Sequence, residues 1–140
     1  MLDRTATVLL VDDSPDDRFL LGFCWEKAGI PNPLLTLDDG QQAIDYLARA
    51  GRARPGLVML DLKMPVRNGL EVLAWMRGSP TCRRVPVIVF TASDQPDDID
   101  KAYVAGANSY LVKPSSVVEL IELLGAIKEY WLRFNEYPSG

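Results

Sequence analysis

The stretch Ala6-Thr7-Val8-Leu9-Leu10-Val11-Asp12-Asp13-Ser14-Pro15-Asp16-Asp17 decides the fold. Residues 6–11 form a short run that is continuously apolar rather than alternating. Such a run fits a strand buried on both faces, as in a parallel sheet. Two carboxylates close it. Ser14-Pro15 then opens a helix: Ser14 is an N-cap candidate, Pro15 suits the first helical position, and Asp16 and Asp17 fall in the first turn.

The same unit recurs along the chain. Further apolar runs lie at 34–37, 57–60, 85–90 and 109–112, and helix-like segments at 15–29, 40–50, 68–78, 95–105 and 115–134. Ser93 or Asp94 is placed to cap before Pro96, and Ser115 or Ser116 to cap the last helix, with Glu119 at capping-box distance from Ser116. Gly29, Gly51, Gly78 and Gly106 supply stop signals. Five β-α units predict an open parallel sheet with helices on both faces. Ligands of such sheets bind outside the carboxyl ends of the strands.

Those ends carry the chemistry. The first strand ends in Asp12 and Asp13, the third in Asp61, the fourth in Thr91 and the fifth in Lys113. Neighbouring carboxylates raise one another's pKa and call for a cation. Mg²⁺ suits a site with a few carboxylates and a phosphoryl oxygen. One carboxylate can then act as a nucleophile and form an acyl phosphate. Thr91 would donate to a phosphoryl oxygen, and Lys113 would pair with another as a point charge.

Composition narrows the alternatives. The chain has 140 residues, no histidine, two cysteines and a net charge of −4. Its length fits one domain with its own core. Without histidine there is no Ser-His-Asp or Cys-His catalysis and no imidazole metal ligand. Cys24 and Cys82 form no C-x-x-C pair and read as buried thiols of a cytoplasmic protein. Asp3, Arg4, Asp12 and Asp13 leave too short an apolar run for a signal peptide, and no stretch approaches the ~20 apolar residues of a membrane span. A sequence pI near 4.8 argues against a nucleic-acid face. The segment from Gly51 to Gly56 lacks the Lys-Ser/Thr of a phosphate loop, so use of ATP is not expected.

The combination Val11-Asp12-Asp13, Asp61-Leu62-Lys63-Met64-Pro65 with Gly69, Thr91-Ala92-Ser93, and Tyr110-Leu111-Val112-Lys113-Pro114 resembles the receiver domain of two-component response regulators over residues 5–128. The resemblance implies a flavodoxin-like (βα)5 fold with strand order 2-1-3-4-5. It implies Asp61 as phosphoacceptor, Asp13 as direct Mg²⁺ ligand, Asp12 as its partner through water, and the Lys63 backbone carbonyl as a further ligand. Thr91 and Lys113 would bind the phosphoryl group, Ala92 would leave it room, and the Lys113-Pro114 bond would be cis. Tyr110 resembles the switch aromatic that follows Thr91 on phosphorylation. Lys63 and Ser93 stand where the family tunes acyl-phosphate lifetime.

Residues 1–128 are thus expected to form the receiver and 129–140 a C-terminal extension. Val117, Leu120, Ile121, Leu124, Ile127, Trp131 and Phe134 keep helical spacing, a core-facing stripe by default. Val118, Leu123 and Tyr130 widen it, which suggests an interface at Tyr130, Trp131 and Phe134. The Tyr130-Trp131-Leu132 ending with Tyr137-Pro138 resembles single-domain regulators of phytochrome kinases. That implies a homodimer and a light-sensing histidine kinase as phosphodonor, with output by protein–protein contact.

Three rival readings remain. An aspartyl-phosphate phosphatase would need a second Asp where Lys63 stands. A flavin module would need a Ser/Thr/Gly-rich loop where Asp13 to Asp17 stand. A phosphate-independent, receiver-like interaction protein is the third.

Overall fold

In a computed structural model, which describes residues 6–138, the five apolar runs pair as one parallel sheet of order β2-β1-β3-β4-β5. The strands are β1 Val8–Val11, β2 Leu34–Leu37, β3 Leu57–Leu60, β4 Val87–Thr91 and β5 Ser109–Val112. Val8 stands opposite both Leu34 and Leu57, and Thr91 opposite Val112. The helices are α1 Pro15–Lys27, α2 Gly40–Ala50, α3 Gly69–Gly78, α4 Pro96–Ala105 and α5 Val117–Glu129. This is the expected flavodoxin-like arrangement. Positions 1–5 and 139–140, the outer ends of the two expected segments and the site of Asp3 and Arg4, lie outside the described residues.

The two-residue side-chain period of a strand builds two cores. Val8, Leu10, Met59, Ile88 and Phe90 face α1 and α5, meeting Leu21, Cys24, Trp25, Leu120, Leu124 and Ile127. Leu9, Val11, Val58, Leu60 and Val87 face α2 and α3, meeting Ala43, Ile44, Leu47, Val72, Leu73 and Met76. Burial on both faces explains why the runs are continuously apolar. Both cysteines are buried free thiols.

Local signals hold with some shifts. Ser14 accepts from Asp17 N and Ser116 from Glu119 N. Asn68 and Glu71 form a reciprocal capping box on α3. The expected cap of α4 differs: its N-cap is Gln95, without a side-chain cap bond. The Ser93 hydroxyl accepts from Gln95 N and donates to Asp98 instead. Gly78, expected as a stop, is the last residue of α3. β4 begins at Val87 rather than residue 85, because Pro86 has no N–H to give a ladder. No cis peptide bond occurs among the described residues, so Lys113-Pro114 is trans, the ordinary preference of an X–Pro bond.

The last helical segment is not uniform. α5 ends at Glu129, and Tyr130–Phe134 continue as a π-helical turn, closed by Asn135 N donating to Tyr130 O at 2.6 Å. This turn buries Leu132 and packs Trp131 against the α1–α5 core, while Tyr130 and Phe134 stay exposed. Tyr137 folds back and donates its hydroxyl to Trp131 O at 2.8 Å.

Candidate phosphoryl and cation site

Four of the five strand ends converge on one edge because the backbone ladders run one step past the strands. Asp12 N donates to Leu37 O, Asp61 N to Val11 O and Lys113 N to Thr91 O. Asp12, Asp61 and Thr91 are buried polar residues at this edge. Asp13 is exposed beside them.

Asp61 lies at the centre. Thr91 Oγ1 donates to Asp61 Oδ1 at 2.7 Å, and Lys63 N to the same oxygen at 3.4 Å. Lys113 Nζ donates to Asp61 Oδ2 at 3.1 Å. The loop after β3 returns onto Asp61 through Gly69, whose N–H meets Leu62 O at 2.8 Å. A Cβ at Gly69 would lie 2.2 Å from the backbone oxygen of Asp61, so any side chain there would collide with the backbone that carries the central residue. Val66 in that loop has φ +66°, and Arg67 N donates to Pro65 O at 2.7 Å across it.

Asp12 Oδ2 meets Lys113 Nζ at 2.7 Å, and Asp12 Oδ1 accepts from Ser14 N at 2.9 Å. Carboxylate oxygens of Asp12, Asp13 and Asp61 lie within 4.8 Å of one another. That donor set, all oxygen and close enough to share one ion, fits a hard divalent cation. Burial raises the pKa of Asp12, with the charge of Asp61 adding to it, against the opposing hydrogen bonds of Lys113 and Ser14. A cation between the carboxylates would relieve that repulsion. Burial pulls the Lys113 ammonium down, but bonds to Asp12 and Asp17 and the charges of Asp61 and Asp12 outweigh it and raise its pKa. Lys113 is therefore a fixed cation.

The structure thus brings Asp12, Asp13, Asp61, Thr91 and Lys113 together as the sequence places them. Tyr110, half-buried against Leu62, Val89 and Ala102, sits one layer away. Its hydroxyl donates to Ser93 O at 2.8 Å, tying it to the loop that follows Thr91. Tyr130, Trp131 and Phe134 lie beyond α5. One participant was not singled out from sequence: Asp17 Oδ2 stands 2.7 Å from Lys113 Nζ. A signal existed, since Asp17 shares the inward stripe of α1 with Leu21 and Cys24 at helical spacing. A carboxylate on a core-facing stripe needs a partner.

Comparison with known proteins agrees with this geometry. A family model described as the response regulator receiver domain matches residues 8–125. The probable methanogenesis regulatory protein FilR2 of Methanothrix harundinacea is 40% identical over 94% of this chain and 87% of its own length. Response regulator Rcp1 of Synechocystis sp. is 34% identical over 95% of this chain and 93% of its length. The crystal structure of Rcp1 in its Mn²⁺-bound form superposes with a TM-score of 0.84 at 33% identity, covering 96% of this chain and 99% of that one. The phosphorylated cyanobacterial phytochrome response regulator RcpA superposes with a TM-score of 0.88 at 33% identity, over the same shares of the two chains. From its matched motifs, its sheet order and its carboxylate–threonine–lysine edge, the chain belongs to the response regulator receiver family.

Proposed function

We propose that this receiver accepts a phosphoryl group on Asp61 from the phosphohistidine of a sensor histidine kinase, and signals by protein–protein contact. The observation that carries the reading is the setting of Asp61. A hydroxyl donor and an ammonium flank it, and two further carboxylates lie within shared reach of one ion. An Asp61 carboxylate oxygen attacks phosphorus, and the P–N bond to the donor imidazole breaks. The imidazole nitrogen keeps the bonding pair and takes up a proton. Thr91 and Lys113 stabilise the charge on the transferring oxygens.

Asp12, Asp13, Asp61 and the Lys63 carbonyl would hold Mg²⁺. When bound, the ion supplies neutralising charge between the acceptor carboxylate and the incoming phosphoryl oxygens. Tyr110 would relay the change through Ser93 to α4. Similarity to Rcp1 and to the phytochrome regulator RcpA supports a phytochrome-type kinase as donor. The exposed aromatic rings of Tyr130 and Phe134 support a homodimer through the last helix, with Trp131 bracing it. Action is in the cytoplasm. The chain turns over no substrate of its own beyond its acyl phosphate, and binds neither nucleic acid nor membrane. No described helix is long and apolar enough to cross a membrane.

The test is intact mass after incubation with Mg²⁺ and acetyl phosphate, with Asp61→Asn alongside. One added phosphoryl group on the wild type alone supports the reading. If neither acetyl phosphate nor a phosphorylated phytochrome kinase adds mass, the chain is a phosphate-independent interaction protein. Sedimentation of Tyr130→Ala with Phe134→Ala tests the dimer: unchanged mass in solution removes the tail interface.

A further inference from the structure

We propose that Asp17 is a positioning residue for phosphoryl acceptance, acting through Lys113. The proposal rests on the phosphoacceptor reading above and adds a residue to it. An ammonium has three N–H donors. On Lys113 they meet three carboxylate oxygens: Asp12 Oδ2 at 2.7 Å, Asp17 Oδ2 at 2.7 Å and Asp61 Oδ2 at 3.1 Å.

These three acceptors are not equivalent. Among the described residues, the acidic group close enough to share one ion is Asp12, Asp13 and Asp61. Asp17 is outside it. A cation in that group neutralises Asp12 and Asp61 and weakens their pull on the ammonium. Asp17 is then the anchor left at full charge.

Lys113 needs an anchor. Its charge sits on a flexible four-carbon stem. Asp17, Lys113 and Pro114 line a cleft between α1 and α5, together with Leu20, Leu21, Phe90 and Leu120. That cleft borders the ammonium, and an untethered Lys113 side chain can swing into it, away from Asp61.

The tether itself is fixed. Ser14 binds both ends of its turn, donating its N–H to Asp12 Oδ1 at 2.9 Å and accepting from Asp17 N at 3.2 Å. Below this turn α1 is locked into the core by Leu21 and Cys24, both buried. Holding the ammonium beside the acceptor before the donor arrives removes an ordering cost from the transfer.

The experiment follows phosphoryl incorporation by intact mass at saturating Mg²⁺ and acetyl phosphate. Asp17→Ala should be slower by about fivefold, the scale of an ion pair partly open to water. Asp17→Asn, which keeps an acceptor and loses the charge, should fall between. Asp16→Asn, one residue away and exposed, controls for net charge and should match the wild type. Lys113→Ala should erase the effect, so that the Asp17→Ala, Lys113→Ala double variant equals Lys113→Ala alone.

The ¹⁵N–¹H ammonium signal of Lys113 gives a readout without any donor: sharp in the wild type, broadened by exchange in Asp17→Ala. Wild-type rates in both Asp17 variants overturn the proposal. So does an equal slowing in the Lys113→Ala background. If the wild type takes no phosphoryl group from acetyl phosphate or from a phosphorylated kinase, the phosphoacceptor reading fails, and the ammonium signal still decides whether Asp17 holds Lys113.

Discussion

Thr91 and Asp61, thirty residues apart in sequence, share a buried hydrogen bond of 2.7 Å in which the threonine hydroxyl donates to the carboxylate. The two side chains come from β4 and from the end of β3, which pair in parallel. A bond to a charged group inside the protein is worth about 1.5–3 kcal/mol. Thr91→Val keeps the shape and removes the donor. Phosphoryl incorporation from acetyl phosphate should slow by roughly tenfold, and Thr91→Ser should stay near the wild type. A valine variant as fast as the wild type would show that the hydroxyl plays no part.

Tyr110 carries the pH prediction. Burial raises its hydroxyl pKa above the ordinary 10.0, and the charges of Asp98, Asp94 and Asp61 add to the shift. A native pKa above the unfolded one means that the folded state holds the proton more tightly. The resulting stability is fully present below about pH 10 and is lost as pH climbs through the raised value. Ultraviolet titration of native protein should show a component above pH 10 that Tyr110→Phe lacks. Denaturant unfolding should show wild-type stability falling relative to Tyr110→Phe over that window. Parallel curves for the two proteins would sink the claim.

Arg77 clamps the opposite edge of the sheet. Its guanidinium donates to Gly106 O, Arg83 O, Val85 O and Asn108 Oδ1 at 2.9–3.2 Å, joining α3 to the turns before β4 and β5. Arg77→Ala strips donors from several carbonyls at once and should cost about 2–3 kcal/mol. Arg77→Lys should recover little, because an ammonium cannot match the planar fork. Thermal melts check both, and a Tm for Arg77→Ala within a degree of wild type would refute the clamp.

Val66 is the only non-glycine residue with positive φ among the described residues. A β-branched side chain is strained in that region, and Val66 is 76% exposed, so little packing is lost by removing it. Val66→Gly should raise stability by about 0.5–1 kcal/mol, the strain relieved exceeding the added freedom of the unfolded chain. Equilibrium unfolding is the measurement, and a destabilised glycine variant would mean that the loop gains more from the side chain than its strain costs.

Much of the candidate site was legible in sequence because its residues sit where strands stop. An apolar run followed by Asp12-Asp13, Asp61, Thr91 or Lys113 marks a strand end, and a parallel sheet gathers those ends on one edge. Caps and boundaries were less legible. Ser93 and Ser14 look alike as cap candidates, yet Ser14 caps α1 while Ser93 bonds Asp98 and Gln95. A serine hydroxyl takes whichever partner the neighbouring backbone presents.

Sequence by itself determined the continuously apolar strands, the five-fold β-α alternation and the chemistry of the strand ends, because each is written in residues close along the chain. Tertiary structure decided that Asp17 reaches Lys113 across 96 positions, that Arg77 spans two turns, and that Trp131 packs on its own core while Tyr130 and Phe134 face solvent. Those pairings depend on how α1, α3 and α5 lie across the sheet. That placement is fixed by the packing of whole faces, and a side-chain pair distant in sequence leaves no periodic trace of it.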